Sequence, residues 1–360
     1  MMLGSVNQNL RRARLLMCAT VVVAALSAAA IAPAGAGAAT SSALRGQGMW
    51  IWYVSQAEKG NVAKIAAKAK KNGVKTVFVK SSDGSSWWPQ WDTYAAKLKA
   101  AGLKVCAWQY VYGTYPVAEA NLAARAAKSG ADCIVIDAEV EYQNKYSQAT
   151  KYLQALRAQI GSDYPVGFTS FAYPDFHPTI PYSVFLGPGG AQWNLPQMYF
   201  HAFNVAIPQV FYHTYTLNQI YQRPIHPLGQ TYEGVTASQA LQFRKYAKRY
   251  RAPGYSWWVW HDTRPKTWTA LRTALPAAAA KPLLPYPLLR QGYKSDMVRW
   301  CKLKLNAAGA TLTTGLLYDA KMTAAVKDFQ TRHGLVATGQ VDVATWPKLQ
   351  AVDLPPLPVK

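Results

Sequence analysis

Residues 104–141 read KVCAWQYVYGTYPVAEANLAARAAKSGADCIVIDAEVE. Lys104 to Tyr110 and Cys133 to Glu141 are apolar runs of strand length. Between them Val117 to Ser129 is alanine-rich with helical spacing, and Gly130 stands where that helix ends. A strand, a glycine-closed helix and a second strand apolar on both faces describe a crossover between neighbouring parallel strands. The pair recurs in both directions. Toward the N-terminus, Met49 to Ser55 and Thr76 to Lys80 read as strands, each followed by a helix (Asn61 to Asn72, Thr93 to Ala101) ended by Gly73 or Gly102. Toward the C-terminus, a helix over Ser147 to Ile160 precedes strands at Pro165 to Phe171, Gln192 to Tyr199, Ile225 to Gln230 and Tyr255 to Trp260. A helix over Thr236 to Tyr250 separates the last two.

Eight such strands in about 215 residues predict an α/β fold, a (β/α)8 TIM barrel spanning residues 46–275. A doubly wound open sheet would usually carry a glycine-rich turn after its first strand, and Ser55-Gln56-Ala57-Glu58 is no such turn. The fifth helix is poorly written, because Pro174, Pro178, Pro181 and Pro188 crowd its segment, which reads as a long loop.

Outside the barrel, Arg11, Arg12 and Arg14 precede an apolar run to Ile31 and then Ala36-Gly37-Ala38-Ala39, so residues 1–38 read as a secretory signal. No retained membrane anchor is expected. Residues 276–287, with four prolines and four consecutive alanines, read as a semi-rigid linker. A small three-helix α domain follows at 288–350: Ser295, Asp319 and Asp342 are positioned to cap helices burying Val298, Cys301 and Leu305, then Met322, Val326 and Phe329, then Trp346 and Leu349. Residues 351–360 form a proline-rich tail.

Phe329-Gln330, Gly334-Leu335, Gly339, Val341, Thr345-Trp346 and Leu349, with Gly292, Asp296, Val298, Leu305-Asn306 and Gly309 before them, resemble the peptidoglycan-binding-like domain of bacterial wall hydrolases. The sequence departs from that pattern at Ser295, Cys301, Lys302, Asp319 and Met322. The resemblance implies a module that tethers the chain to peptidoglycan or another cell-wall glycan. Lys and Arg outnumber Asp and Glu by 39 to 17, a net charge of +22. For an exported chain, anionic wall polymers suit that charge better than nucleic acid.

Among so few acidic residues, Asp137, Glu139 and Glu141 fall within five positions at the end of the fourth strand. Alternate strand residues share a face and lie ~6.6 Å apart along it, so all three are expected to project into the barrel mouth. Crowded like charges raise at least one pKa, the condition for a carboxylic acid that is still protonated near neutrality. Glycoside hydrolysis needs such an acid and a second carboxylate. Glu139 is the candidate acid and Asp137 its nucleophile or stabiliser. Simple ion pairing with Lys80 is the alternative. Asp137-Ala138-Glu139 resembles the Asp-x-Glu of glycoside hydrolase family 25, the barrel lysozymes that cut peptidoglycan. That family also places an aspartate at the end of strand one, where this sequence has Trp52-Tyr53-Val54-Ser55. Asp262 and Glu233, just past strands eight and seven, are the available substitutes, with Glu141 or Asp262 assisting.

Pyranose rings pack their C–H faces on aromatic rings. Eleven of the 13 Trp residues lie in the barrel region. Trp52, Trp108, Tyr110, Tyr199, Tyr232, Trp258 and Trp260 stand toward strand ends, with Trp87, Trp88 and Trp91 after strand two. Gln197 and Gln230 are neutral hydrogen-bonders for hydroxyls and amides, as is Gln109. The six His residues form no zinc pattern and no phosphate-cradling loop is present, so no metal and no cofactor are expected, although a metal held by the strand-four acids stays open. Cys106 and Cys133 fall on neighbouring strands. A bridge between them is conceivable, but in-plane neighbours rarely meet disulfide geometry, so two buried thiols are expected. The rival to a hydrolase is a catalytically silent barrel that binds wall glycans or acts as a scaffold.

Overall fold

A computed structural model describes residues 42–356, so the signal reading at 1–38 lies outside the described residues. Eight parallel strands form the core: β1 Gly46–Ile51, β2 Val74–Asp83, β3 Lys104–Val111, β4 Cys133–Ala138, β5 Val166–Thr169, β6 Trp193–Asn194, β7 Leu228–Gln230 and β8 Gly254–Trp258. Hydrogen bonding runs unbroken from β1 through β6 one way and from β1 to β8 and β7 the other. Parallel bridges Asn194–Ile225 and Gln197–Leu228 join the two ends. The sheet is thus closed into the (β/α)8 barrel, with Ser86–Trp87 folded back antiparallel on the end of β2.

The strands form where the side chains can be buried on both faces; every residue of β4 is buried. Helices α1 Val62–Lys71, α2 Gln90–Ala100, α3 Pro116–Lys128 and α4 Tyr146–Ile160 fill the first crossovers. Gly102 and Gly130 end two of the turns at φ +84° and +101°, a conformation that Cβ sterics deny most residues. The proline-crowded fifth crossover keeps only the single turn α5 Tyr182–Phe185, followed by α6 Ile207–Asn218, α7 Ala237–Arg249 and α8 Pro265–Arg272. Strand β2 runs three residues beyond Lys80, and β4 stops at Ala138, three short of the expected end.

Barrel interiors are usually packed with branched aliphatics. Here Trp50 stacks on Phe78 at 4.9 Å and meets Trp108 at 5.5 Å, and its indole N–H donates to Ser256 Oγ at 3.0 Å. Gly48 makes this possible, since a Cβ there would stand 2.5 Å from Phe78 Cε2. The same interior holds a Cys106–Cys133 disulfide in place of the two thiols expected. The two cysteines are register partners on β3 and β4, both turned inward, with Cα atoms 4.6 Å apart, within the span a bridge needs. Their separation of 27 residues implies a loop-closure contribution of about 3.5 kcal/mol. Chemical denaturation of the Cys106→Ala/Cys133→Ala variant should therefore show a loss of about 2–4 kcal/mol; an unchanged midpoint would mean the bridge contributes nothing.

The C-terminal part folds as α9 Asp296–Ala307, α10 Ala320–Arg332 and α11 Thr345–Gln350. Ser295 and Asp319 cap α9 and α10 by accepting from Val298 N and Met322 N, and Asp342 Oδ1 accepts from the amides of Ala344 and Thr345. Val298, Cys301, Leu305, Met322, Val326, Phe329, Trp346 and Leu349 are buried. This domain is seated on the barrel. Asp296 is fully buried, its carboxylate accepting from Ser183 N (2.8 Å), Ser183 Oγ (2.6 Å) and Tyr221 OH (2.9 Å). Trp300 donates its indole N–H to Ile220 O at 2.9 Å. The linker is fastened as well, Lys248 Nζ donating to Pro276 O and Gln219 Nε2 to Pro285 O. Among the described residues no helix is long and apolar enough to cross a membrane.

Candidate active site

Asp137 lies one residue before the end of β4, pairing in register with Tyr110 on β3 and Thr169 on β5. Extended geometry ends there. Val140–Tyr142 is a single 3-10 turn, so strand alternation does not carry Glu141 to the mouth as expected. The turn brings it back by another route, and Glu141 Oε2 accepts from Tyr110 OH at 2.6 Å. Gln197, anchored by its amide to Ser170 O, donates from Nε2 to Glu139 Oε1 at 2.7 Å and Asp137 Oδ1 at 3.2 Å. One amide therefore spans both carboxyl groups.

Burial pushes Asp137 well above the usual carboxylate range, and the adjacent Glu139 charge pushes it further, with Lys80 pulling the other way. Glu139 is also raised by burial, but hydrogen bonds from Gln197 and Asp137 oppose the shift. Burial thus raises both carboxyls, and as neighbours they titrate as a pair that keeps a proton above the ordinary carboxylate range. Glu139 is the more accessible of the two.

Lys80, itself buried, completes the mouth. Its ammonium bonds Asp83 Oδ2 at 2.5 Å and lies 5.4, 4.4 and 4.9 Å from the ring centres of Trp52, Trp88 and Trp108. The end of β1, where a carboxylate would stand in barrel lysozymes, is thus given to an indole: Trp52 stacks on Tyr53 at 5.5 Å and leans on Trp258 at 5.8 Å. Across the mouth Tyr199 and Tyr232 meet edge to face at 5.7 Å, and both feel the carboxylate charges.

The structure gathers Asp137, Glu139, Glu141, Tyr110, Gln197, Tyr199, Tyr232, Trp52 and Trp258 at this mouth. Trp108 belongs there by position but is buried in the barrel interior. Gln230 is buried and accepts from the amides of His201 and Ala202, ordering a loop. Gln109 is held in the helical layer by Tyr152, Gly84 and Glu119. Trp260 is buried away from the mouth, donating to Glu58 Oε1 and packing on Trp268 at 4.9 Å. Asp262 is half exposed, 3.6 Å from His261 Nε2. Asp83 and the aromatic enclosure of Lys80 are the features the sequence reading missed. Their signal, Lys80-Ser81-Ser82-Asp83-Gly84, has the composition of a turn. Among the described residues no cluster of three His, Cys, Asp or Glu side chains is arranged to hold a metal ion.

Two family models match the chain. Residues 54–179 match glycosyl hydrolases family 25, and residues 294–349 match the model described as "Putative peptidoglycan binding domain". The first match begins beyond β1 and ends before β6, so it includes Asp137 and Glu139 and leaves out the end of β1. Among solved structures, a Burkholderia AP3 phage endolysin is 38% identical over 20% of this chain and 27% of its own, with a TM-score of 0.18. The spore cortex-lytic enzyme SleL of Bacillus cereus is 9% identical over 63% and 73% of the two chains, with a TM-score of 0.46. A Chromobacterium violaceum chitinase is 10% identical over 63% and 98%, with a TM-score of 0.43. This chain spans about a quarter of the endolysin's length. No curated protein matches it.

Proposed function

We propose that the protein is an exported, wall-associated glycoside hydrolase that cuts peptidoglycan, with Glu139 as general acid and Asp137 as nucleophile or stabiliser. The observation that carries this reading is the Asp137–Glu139 pair, bridged by Gln197 beneath an aromatic rim. A sugar packed on Tyr199 and Tyr232 would present its glycosidic oxygen to Glu139, the more accessible member of the pair. As Glu139 protonates the leaving oxygen and the glycosidic bond breaks, the carboxylate of Asp137 faces the positive charge growing at the anomeric carbon, with Glu141 adding to the negative field; water then adds at that carbon and gives up a proton that restores the pair. The basic surface and the C-terminal domain hold the chain at its substrate.

The pair works when it carries one proton. Both groups are raised, so activity is expected to persist above the ordinary carboxylate range and to fall as rising pH removes the shared proton. Initial rates from about pH 4 to 9 check this; a profile that declines already near pH 4 would remove the shared proton from the mechanism.

One observation favours a glycan-binding protein without activity: Trp52 and the caged Lys80 occupy the corner where a strand-one carboxylate would stand. Incubating the full chain with peptidoglycan sacculi and measuring both sedimented protein and released reducing ends separates the two. Sedimentation without release supports the binder, and release supports the hydrolase.

A further inference from the structure

A cavity of about 640 Å³ lies away from the carboxylates, on the barrel flank where the start of α6 faces α7 and the segment 276–287 passes over them. Tyr173, Phe176, Tyr212 and Tyr246 line it. Phe176 is 68% exposed and Tyr212 48%. Single exposed aromatics are ordinary, but Phe176 and Tyr212 are turned into one concavity beside the buried Tyr173, and the core does not explain the exposure of these two. Polar groups stand among the rings: His213 Nε2 bonds Asp175 Oδ2 at 2.9 Å, and Arg249 lies 5.8 Å over Tyr246. Arg249 and Tyr246 also border a neighbouring hollow flanked by Lys245 and Lys248, so this end of the groove is positive.

The rings are continuous with the mouth. From Tyr199, which meets Tyr232 across the cleft, ring-to-ring steps of 6.3 Å to Phe203, 5.7 Å to Tyr173 and 5.4 Å to Phe176 reach the groove.

We infer that this groove is a second glycan-binding site, taking a carboxylate-bearing N-acetylated strand of the same polymer at a distance from the cleft; the identity of the polymer rests on the function proposed above. Apolar sugar faces pack on Phe176 and Tyr212, and the strand's carboxylates pair with Arg249, whose planar guanidinium suits them.

The test uses the full chain labelled with 3-fluorotyrosine and followed by fluorine NMR. The Tyr212 and Tyr232 signals are assigned by their loss in Tyr212→Phe and Tyr232→Phe. The probe is peptidoglycan glycan strands stripped of their peptides. Both signals are expected to shift, and Phe176→Ala, with unchanged melting, should weaken the Tyr212 response about tenfold. A Tyr212 signal that stays fixed while Tyr232 moves overturns the groove and leaves the cleft reading standing. Movement of Tyr212 alone supports the groove and removes glycan from the cleft. If neither moves, both fall.

Discussion

Glu139→Gln is expected to lower reducing-end release from peptidoglycan about a thousandfold, the scale on which a positioned general acid contributes. The side chain remains the same size, and its amide oxygen still accepts from Gln197 Nε2, which now donates to Glu139 Oε1 at 2.7 Å. What is lost is the proton that Glu139 delivers to the leaving oxygen. Binding to sacculi should be unchanged, because the aromatic rim and the C-terminal domain are untouched. Melting should hold or rise, since the substitution removes a carboxyl whose ionisation burial opposes. Equal release by both proteins would take Glu139 out of the mechanism, and a large fall in melting temperature would show that it serves the fold.

The second large effect is expected at the seam between the barrel and the C-terminal domain. Asp296→Ala leaves Ser183 N–H, Ser183 Oγ and Tyr221 OH facing an apolar methyl, and each stranded buried group costs about 1–3 kcal/mol. The domain should loosen, seen as faster proteolytic cleavage within residues 276–287 and a larger radius of gyration. The contact should also depend on pH. Burial pushes the Asp296 carboxyl from its ordinary 3.8 up to about 6, against hydrogen bonds from Ser183 and Tyr221 and the charge of Arg299 that favour ionisation. Because the seated state holds the proton more tightly, this contribution is full below 3.8 and is lost as pH rises through about 6, a difference of about 3 kcal/mol. Small-angle scattering at about pH 5 and pH 8 should show the tighter particle in acid, with Asp296→Asn abolishing the difference. A radius insensitive both to pH and to Asp296→Ala would show that the seam does not depend on this carboxylate.

Much of this was legible from local patterns. The glycine-ended helices and two-faced apolar strands gave the barrel, since both are dictated by neighbouring residues. Asp137 and Glu139 stood out because carboxylates are rare in this chain and these two interrupt an apolar run. Register and strand ends were harder. Cys106 opposite Cys133 is a fact about how β3 and β4 slide against each other, and spacing along the chain does not encode it. Trp258 and Trp260 share a phase only while a strand continues; β8 stops at Trp258, and Trp260 is buried against Trp268 away from the barrel mouth. Asp83 and the surroundings of Lys80 were hidden because Ser-Ser-Asp-Gly resembles a turn, whereas tertiary pairing with β3 keeps Ser81 to Asp83 extended and the turn comes only at Gly84. Asp296 stood only as one position of the peptidoglycan-binding-like pattern; packing against Ser183 and Tyr221 reveals it as the fastening.

That fastening changes what anchoring means. On a free tether, the effective concentration of a cleft around its target is set by the length and stiffness of the linker. With Asp296 and Trp300 seated, residues 276–287 span a closed gap, and lengthening them alters nothing until the seam opens. The reach of the cleft is then fixed by the distance between two surfaces of one rigid body. On the function proposed above, such a protein would sample the wall as a gauge of constant span, meeting only strands that lie at that span from the point of attachment.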